Sequence, residues 1–398
     1  MNTTKLFVDD VNFKGKKALV RVDYNVPFDT LGNISDDARI RVTLPTINRI
    51  LDDGGMVVLM SHLGRPKGLR VPSMSLAPVA KRLSRLLGKE VRFIDDCVGP
   101  KVRDAVRAMQ QGEVVLLENL RFHKGETDND PDFARELAGL GDIFVNDAFA
   151  TAHRSHASNV GITQFISPSV GGTVMKNEIN YFNAVMENPV RPLVAIIGGA
   201  KVSSKIEIIK KLSRQVDKIL IGGGMMFTFL KAIGFEVGKS LVEEDMLGIA
   251  METLKQSRKD GTKLYLPVDT VVADRMDPKA ISMIVPVQEI PPDWMGLDIG
   301  PATTTLFSEA LRDAKSIIWN GPMGVFEIDA FSRGTFAMVQ MVANSYAMTI
   351  VGGGDTDVAV HRAGESYKIS YISTGGGAFL ELLEGNELPG LAALSVKE

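Results

Sequence analysis

The chain alternates between short, continuous apolar runs and longer amphipathic stretches. The apolar runs are rich in β-branched residues and end in Gly, Asp, Asn or Ser, which is typical of strands buried on both faces of a parallel sheet. The runs in the first part of the chain are KALVRVDYN, MVVLMSHLG, VRFIDD, VVLLENLRF and DIFVNDAFA. The runs in the second part are PLVAIIGGA, KILIGGG, KLYLPVD, SIIWNGP, MTIVGGG and YISTGGG.

Helix-like stretches lie between these runs, for example LAPVAKRLSRLLG and SSKIEIIKKLSRQV. Alternating strands and helices indicate βα units with right-handed crossovers. The pattern predicts an α/β protein with two open, doubly wound parallel sheets (Rossmann-like) of about five or six strands each. Ligands of such sheets bind beyond the carboxyl ends of the strands.

The length of 398 residues favours two domains over a single core. Between the two sets of runs, TVMKNEINYFNAVMENP places Met175, Ile179, Phe182 and Met186 on one helical face. We therefore expect an interdomain helix over 173–188. The first domain would comprise residues 1–172 with a C-terminal tail from about 380 to 398, and the second residues 189–379. The segment ISMIVPVQEIPP is expected to be an irregular strand excursion.

Charge and composition exclude several classes of protein. The formal net charge of −3 argues against general binding to nucleic acids or anionic membranes, which requires a basic surface. Cys97 is the only cysteine, so no internal disulfide is possible. The first residues, MNTTKLFVDD, lack the apolar core of a signal peptide, and no run of about 20 apolar residues occurs. We expect a cytoplasmic protein.

Histidines and arginines recur together at the ends of the first set of strands. Four of the five histidines lie in the first half of the chain, each with an arginine nearby: His62 with Arg65, His123 with Arg121, and His153 and His156 with Arg154. Planar guanidinium donors suit phosphate and carboxylate groups. Arginines from separate strand ends would converge at one edge of the sheet, so we expect a small polyanionic ligand.

Hydroxyl groups on that ligand would find partners in Asp23 and Asn25. The stretch SDDARIR adds Arg39 and Arg41. A single arginine is more often a solvated charge, and Arg21 and Arg41 are either solvated or tied to local carboxylates. His153 and His156 have the spacing of a metal pair, but no nearby Cys or acidic ligand completes such a site.

Glycine-rich loops characterise the second half. They are Gly222–Gly224, Gly352–Gly354, Gly375–Gly377 and the GGAK stretch Gly198–Lys201. Glycine allows backbone N–H groups to approach a phosphate, so four such loops favour a nucleotide. The stretch GFEVGKS is one residue too short between its glycines for a Walker A loop, and no stretch fits G-x-G-x-x-G.

Several charged residues near these loops have two interpretations. Lys201 and Lys205 are four residues apart and either grip one phosphate chain or lie on a solvated helix face. Asp355 either caps a helix or holds Mg²⁺ beside phosphates. Glu327 is either a ligand of ribose hydroxyls or a surface acid. Trp294 and Trp319 are expected in the core.

At this point the motifs resemble one family, the phosphoglycerate kinases. The matching stretches run in the family's order from Arg21 to Gly385: RVDYNVP, SHLGRPKG, ENLRF, NDAFATAHRSHAS, GGAKVSSKI, GGGM, DWMGLDIGP, WNGPMGVFE, VGGGDT and STGGGAFLELLEG. The resemblance implies Mg²⁺-dependent phosphoryl transfer from 1,3-bisphosphoglycerate to ADP, giving 3-phosphoglycerate and ATP. It also implies a monomer whose two domains close on a hinge.

The resemblance further implies a role for individual residues. The 3-phosphoglycerate site would comprise Asp23, Tyr24, Asn25, Arg39, His62, Leu63, Gly64, Arg65, Arg121 and Arg154. The nucleotide site would comprise Lys205, Gly222, Gly223, Gly224, Gly296, Glu327, Gly353, Gly354, Asp355 and Thr356, with Asp355 serving the metal. The groups acting on the transferred phosphoryl would be Arg39, Lys201, Gly375 and Gly376.

The chain departs from the family pattern at three positions. Ser204 stands where Asp is usual, Ala150 where Gly is usual, and Ser155 where Ala is usual. None of these positions carries an assigned role, although Ser204 changes the charge beside Lys205. A small-anion binding protein with the same kind of fold, or a nucleotide-dependent enzyme of another reaction, are the competing hypotheses.

Overall fold

The computed structural model describes residues 5–397 and shows two compact units. The first comprises Met1–Asn180 and Glu387–Glu398, and the second comprises Tyr181–Asn386. Among the described residues, no helix combines the length and the apolar character needed to span a membrane.

The first unit is built on a six-stranded parallel sheet with the order β3-β4-β2-β1-β5-β6. Its strands are β1 (Lys17–Arg21), β2 (Met56–Met60), β3 (Val91–Ile94), β4 (Val114–Leu117), β5 (Ile143–Asn146) and β6 (Ser169–Gly171). Strands β1, β2, β4 and β5 are almost completely buried, as their continuous apolar runs predict. Helices cover the sheet and enclose a separate apolar cluster on each face.

The helices of the first unit are short to medium in length. They are α1 (Ala38–Arg41), α2 (Leu44–Asp52), α3 (Ala77–Leu87), α4 (Pro100–Arg107), α5 (Lys124–Thr127), α6 (Pro131–Ala138), the first part of α7 (Thr173–Met186) and the C-terminal α15 (Pro389–Ala392). The C-terminal tail belongs to this unit because Gly390 N donates to the Ala152 carbonyl (2.8 Å) and Ser395 N to the Ser169 carbonyl (2.8 Å).

The second unit contains another six-stranded parallel sheet, with the order β15-β14-β13-β7-β8-β9, and a three-stranded antiparallel sheet, β11-β10-β12. The strands are β7 (Leu193–Ile197), β8 (Lys218–Ile221), β9 (Lys263–Tyr265), β10 (Asp269–Ala273), β11 (Ser282–Pro286), β12 (Met295–Ile299), β13 (Ser316–Asn320), β14 (Met348–Gly352) and β15 (Tyr371–Ile372). The small sheet contains the segment expected to be a strand excursion.

The remaining helices all belong to the second unit. They are α8 (Ile206–Leu212), α9 (Met226–Ala232), α10 (Leu247–Lys259), α11 (Pro301–Leu311), α12 (Arg333–Ala343), α13 (Gly354–Arg362) and α14 (Gly377–Leu383). Trp319 lies in the core, where its indole N–H donates to the Gly321 carbonyl at 2.7 Å.

The predicted fold class, two doubly wound parallel sheets, is confirmed. The two units divide within α7, after Asn180, and α14 lies in the second unit although the tail was expected to begin near residue 380. Helix α14 explains the second difference, because it continues to Leu383 and packs against α8 of the same unit.

Candidate active site

A basic cavity of about 340 Å³ lies at the carboxyl ends of the strands in the first unit. Strands β2, β4 and β5 all run in the same direction, so the loops that follow them meet at one edge of the sheet. The residues lining the cavity are Arg65, Lys67, Gly68, Arg121, Lys124, Thr127, Asp128, Arg154 and His156. Five cationic side chains and one carboxylate line this cavity, and it therefore suits a polyanion.

At this edge of the sheet, burial and repulsion between like charges disfavour the charged forms of the basic side chains. Burial, followed by the neighbouring Arg21 and Arg154, lowers the pKa of Arg121 to about 10. Burial and the same arginines lower the pKa of His156 to about 4, so this imidazole is neutral at pH 7. An anion in the cavity would relieve the repulsion between the guanidinium groups.

His62 is held by a fully buried arginine. Arg21 Nη2 lies 3.1 Å from His62 Nδ1, and its Nε donates to Ser158 Oγ at 2.8 Å. Because a guanidinium can only donate, His62 Nδ1 must accept, and the ring proton lies on Nε2. Burial and then the arginines, Arg21 first among them, lower the pKa of His62 well below its ordinary value. His62 is thus a neutral imidazole with Nε2–H as its remaining donor.

Asp23, Asn25 and Arg39 are organised by contacts with their neighbours. Arg39 Nη1 donates to Asp23 Oδ2, and the Arg39 side chain stays 39% exposed. Asn25 Oδ1 accepts from the Gly64 N–H at 2.9 Å, and the Gly64 carbonyl accepts from Arg121 Nη1 at 2.7 Å. The loop carrying Gly64 therefore links the loop after β1 to the loop after β4.

Two of the predicted substrate-binding residues lie behind this surface. The Tyr24 side chain is fully buried, its hydroxyl is 2.9 Å from Thr43 Oγ1, and burial raises its pKa. Leu63 is buried, and its backbone N–H and carbonyl both bond to the Asn119 side chain. These two residues pack in the core and do not line the cavity.

A second cavity, of about 300 Å³, lies in the second unit at the carboxyl ends of β7, β8, β13 and β14. The predicted residues Gly223, Gly224, Gly296, Glu327 and Asp355 line it. The other lining residues are Gly199, Ala200, Met226, Phe227, Leu241, Met276, Leu297, Asp298, Pro322, Met323, Gly324 and Val325. The apolar walls suit a flat base, and the glycines leave room close to the backbone.

Gly296 shows why a glycine is required in this cavity. A Cβ built on Gly296 would lie 1.9 Å from Cζ of Phe227, whose ring lies directly against the backbone. The N–H of Gly296 donates to Ser240 Oγ at 2.9 Å. Gly222, also predicted here, is not among the lining residues; a Cβ added there would lie 2.4 Å from Sδ of Met323, which forms part of the cavity wall.

The loop after β14 brings the predicted acid to the cavity. Gly353 has φ +96°, a conformation that favours glycine, and α13 begins at the next residue with Asp355 in its first turn. Asp355 is exposed and lines the cavity. Thr356 is buried and its Oγ1 accepts from the Gly321 N–H at 2.7 Å, so this hydroxyl fixes the neighbouring loop.

The two predicted lysines differ in their surroundings. Lys205 Nζ donates to Asn320 Oδ1 at the end of β13, and burial lowers the pKa of Lys205 to about 8 despite the nearby acids Glu384 and Asp355. Lys201 is exposed. Ser204, the departure from the family pattern, donates to the Lys201 carbonyl at 2.9 Å and contacts neither ammonium group by a hydrogen bond of its own in the described structure.

The glycines after β15 are partly engaged. The N–H of Gly375 donates to Ser373 Oγ at 3.1 Å, and Gly376 has φ +47° immediately before α14. The Gly375 N–H would therefore have to exchange its partner before it could bind a phosphoryl oxygen.

Sequence reasoning missed residues whose roles depend on tertiary packing. Arg21 was expected to be either solvated or tied to local carboxylates, whereas it is buried against His62 and lies 4.0 Å from Glu126, which is distant in the chain. Phe227 and Met323 form cavity walls, although in the sequence they are ordinary apolar residues. Asp298 lines the second cavity, and burial raises the pKa of this carboxyl to about 7. For the lysines that line the first cavity, the sequence held one indication. Lys67 and Lys124 lie in the same predicted loops as Arg65 and Arg121.

Comparison with known proteins places the chain in one family. The phosphoglycerate kinase family model matches residues 8–386. Phosphoglycerate kinases of Geobacter metallireducens and Aquifex aeolicus are 63% and 57% identical over 389 residues, which is 98% of this chain and of each relative. The solved structure of phosphoglycerate kinase from Coxiella burnetii has a TM-score of 0.89 at 41% identity, and that from Pyrococcus horikoshii 0.84 at 32%, each covering 98% of both chains. The chain therefore belongs to the phosphoglycerate kinase family.

Proposed function

We propose that this enzyme transfers a phosphoryl group between 1,3-bisphosphoglycerate and ADP, with the acid bound in the first unit and the nucleotide in the second. Membership of the family supports the glycolytic reaction, which gives 3-phosphoglycerate and ATP. The observation that carries the division of labour is the contrast between the two cavities. One is lined by arginines and lysines, and the other by glycines and apolar side chains.

In the first unit, Arg65, Arg121 and Arg154 would hold the phosphate of the acid. Guanidinium groups match phosphate through paired hydrogen bonds, and all three line the same cavity. His62 would donate from Nε2 to the ligand, because Arg21 occupies Nδ1. Asp23 and Asn25 would bond the hydroxyl group of the acid.

In the second unit, the base would lie against the walls formed by Phe227 and Leu297, and Glu327 would accept from ribose hydroxyls. Lys205 would bond the phosphates. Asp355 fits a Mg²⁺ ligand, because it is an exposed carboxylate on the cavity wall and protein-bound Mg²⁺ typically combines one or two carboxylates with substrate phosphates. Bound there, Mg²⁺ would offset negative charge on the nucleotide.

The transfer itself needs no protein nucleophile. A terminal phosphate oxygen of ADP attacks the acyl phosphate phosphorus, the bond from phosphorus to the carboxyl oxygen breaks, and the carboxylate leaves with the electron pair. Positioning and neutralisation of charge dominate such reactions. Arg39 would exchange its Asp23 partner for the departing carboxylate oxygen, while Lys201 and the N–H groups of Gly375 and Gly376 would stabilise the phosphoryl oxygens.

A coupled assay with 3-phosphoglycerate, ATP and Mg²⁺ tests the reaction. Turnover distinguishes the kinase from a small-anion binding protein. Turnover with another acceptor, but not with 3-phosphoglycerate, would favour a different nucleotide-dependent reaction.

Exclusion of water from the transferred group would require the two units to close around both ligands. We propose that closure occurs in a cytoplasmic monomer. Sedimentation reports the oligomeric state, and small-angle scattering with both ligands reports any compaction.

Substitution Arg39→Ala tests the chemistry at one residue. Loss of a donor to charge that develops in the transition state typically costs about 10²–10³ in kcat, so we expect a decrease of this size with ADP affinity unchanged. Arg41→Ala is the matched control, because Arg41 lies on the same short helix and pairs with Asp37 at 2.8 Å. Near-normal turnover of Arg39→Ala would remove Arg39 from the transfer step.

A further inference from the structure

Three side chains with metal-binding atoms meet in the first unit, in residues to which the proposed reaction gives no role. Asp96 and Cys97 follow β3, and His123 follows β4. The two strands are parallel neighbours with Ile94 opposite Leu117, so the loops that follow them lie side by side. One carboxylate oxygen of Asp96, the Cys97 sulfur and one His123 ring nitrogen all lie within 4.8 Å of one another.

The cluster is already ordered by contacts within the protein. His123 Nε2 is 2.7 Å from Asp96 Oδ1, and the same oxygen accepts from the Cys97 N–H at 2.7 Å. The His123 ring stacks on Phe133, with 5.3 Å between the centroids. Both the imidazole and the carboxylate are therefore held in place, which lowers the entropy lost when an ion binds.

The distances are close to those of a tetrahedral site. Bonds of about 2.0–2.3 Å to nitrogen, oxygen and sulfur place the ligand atoms of zinc roughly 3.3–3.8 Å apart. The Asp96–His123 contact would have to open by less than about 1 Å, and the sulfur, which lies within 4.8 Å of the other two atoms, would have to approach by no more than about 1.5 Å. All three ligand atoms lie on residues that follow β3 and β4, outside the strands themselves.

Charge balance favours a divalent ion. Cys97 as thiolate and Asp96 as carboxylate contribute two negative charges, and a neutral His123 contributes none, so a divalent cation makes the site neutral. Binding breaks the Cys97 S–H bond, leaves the electron pair with sulfur for the new metal–sulfur bond, and releases one proton to solvent. The Asp96 and His123 side chains are 42% and 33% exposed, which provides entry and room for a water as fourth ligand.

We propose that Asp96, Cys97 and His123 form a binding site for one thiophilic divalent cation of the zinc class. A thiolate and an imidazole favour zinc or cobalt over magnesium, which prefers oxygen ligands. This site lies in the first unit, whereas Asp355 lies in the second. The alternative is that the His123–Asp96 hydrogen bond is purely structural and that Cys97 is a small core residue. The experiment must distinguish this alternative from a metal site.

The test is a titration of the chelator-treated, full-length protein with Co²⁺ in the absence of substrates, so its outcome is independent of the proposed reaction. We expect one equivalent of Co²⁺ to give a thiolate-to-cobalt charge-transfer band and the visible bands of tetrahedral cobalt, both removed by Zn²⁺. Cys97 is the only cysteine, so the charge-transfer band in the unmodified protein identifies its sulfur as a ligand. Cobalt binding without that band, or no binding, would overturn the proposal.

Variants then test the other two ligands. His123→Gln and Asp96→Asn should each weaken Co²⁺ binding by more than about tenfold, since loss of even an outer-shell partner typically costs 10–100-fold. His361→Gln is the matched control, because His361 forms a similar histidine–aspartate contact, 2.8 Å from Asp357, on α13. Its affinity should equal that of the unmodified protein. Equal affinity of all three variants would overturn the assignment of these ligands.

Discussion

The affinity for nucleotide should decrease as Lys205 loses its proton. Burial lowers the pKa of Lys205 to about 8 in the free protein, so its ammonium group is about nine-tenths neutral at pH 9. Phosphates next to the ammonium favour the charged form and would return the pKa of Lys205 to its ordinary value of about 10.4 or above. The bound state then carries a proton that the free state at pH 9 lacks.

The size of the effect follows from the two pKa values. At pH 7 Lys205 is charged in both states, and binding involves almost no proton uptake. At pH 9 binding must first protonate the lysine, which reduces the affinity by about tenfold relative to pH 7. The second ionisation of a phosphate group has a pKa of about 6, so ADP is largely ionised at both pH values and itself contributes little to this change.

Calorimetric titration with ADP at pH 7 and pH 9, in buffers of different ionisation enthalpy, measures both quantities. We expect about tenfold weaker binding at pH 9 and uptake of nearly one proton. Lys205→Arg keeps the charge at both pH values and should remove most of the pH dependence, whereas Lys210→Arg, which changes a lysine paired with Glu207, should retain it. Equal pH dependence in the unmodified protein and in Lys205→Arg would refute this reasoning.

Two further predictions concern buried positions. Arg21→Met should lower the stability of the first unit by about 3 kcal/mol in urea unfolding followed by circular dichroism, because it leaves the buried Glu126 without its cation; an unchanged midpoint would contradict the role given to Arg21. Gly296→Ala should weaken ADP binding and destabilise the protein by about 1–3 kcal/mol, since its Cβ would overlap the Phe227 ring. Gly248→Ala, on α10 with open space around an added Cβ, is the control and should be neutral or slightly stabilising.

The sequence predicted most strands and the edge of each sheet that carries polar residues. Continuous apolar runs can be recognised because both faces of a parallel strand must be buried, and the polar residue after each run marks its carboxyl end. The strand β6 was missed because SVG is three residues long and is flanked by proline and glycine, which conceal any periodicity. The resemblance, rather than periodicity, supplied the individual roles of the site residues.

Residues whose function depends on packing were not predictable. Whether Arg21 is solvated or buried depends on Ser158 and Glu126, which are more than a hundred residues away in the chain. Burial and then Arg21 lower the pKa of His62, and the contact with Arg21 fixes the tautomer of its ring. Tyr24 has its hydroxyl in the core against Thr43, although its sequence neighbours Asp23 and Asn25 are only partly buried. No local pattern contains this information.

A crystal structure of the enzyme with 3-phosphoglycerate and ADP bound tests the central claim most directly. We expect the phosphate of the acid to lie among Arg65, Arg121 and Arg154 in the first unit, and the nucleotide to lie against Gly223 and Gly296 in the second. Density for both ligands within one unit, or for the acid away from these three arginines, would contradict the division of binding between the two sheets.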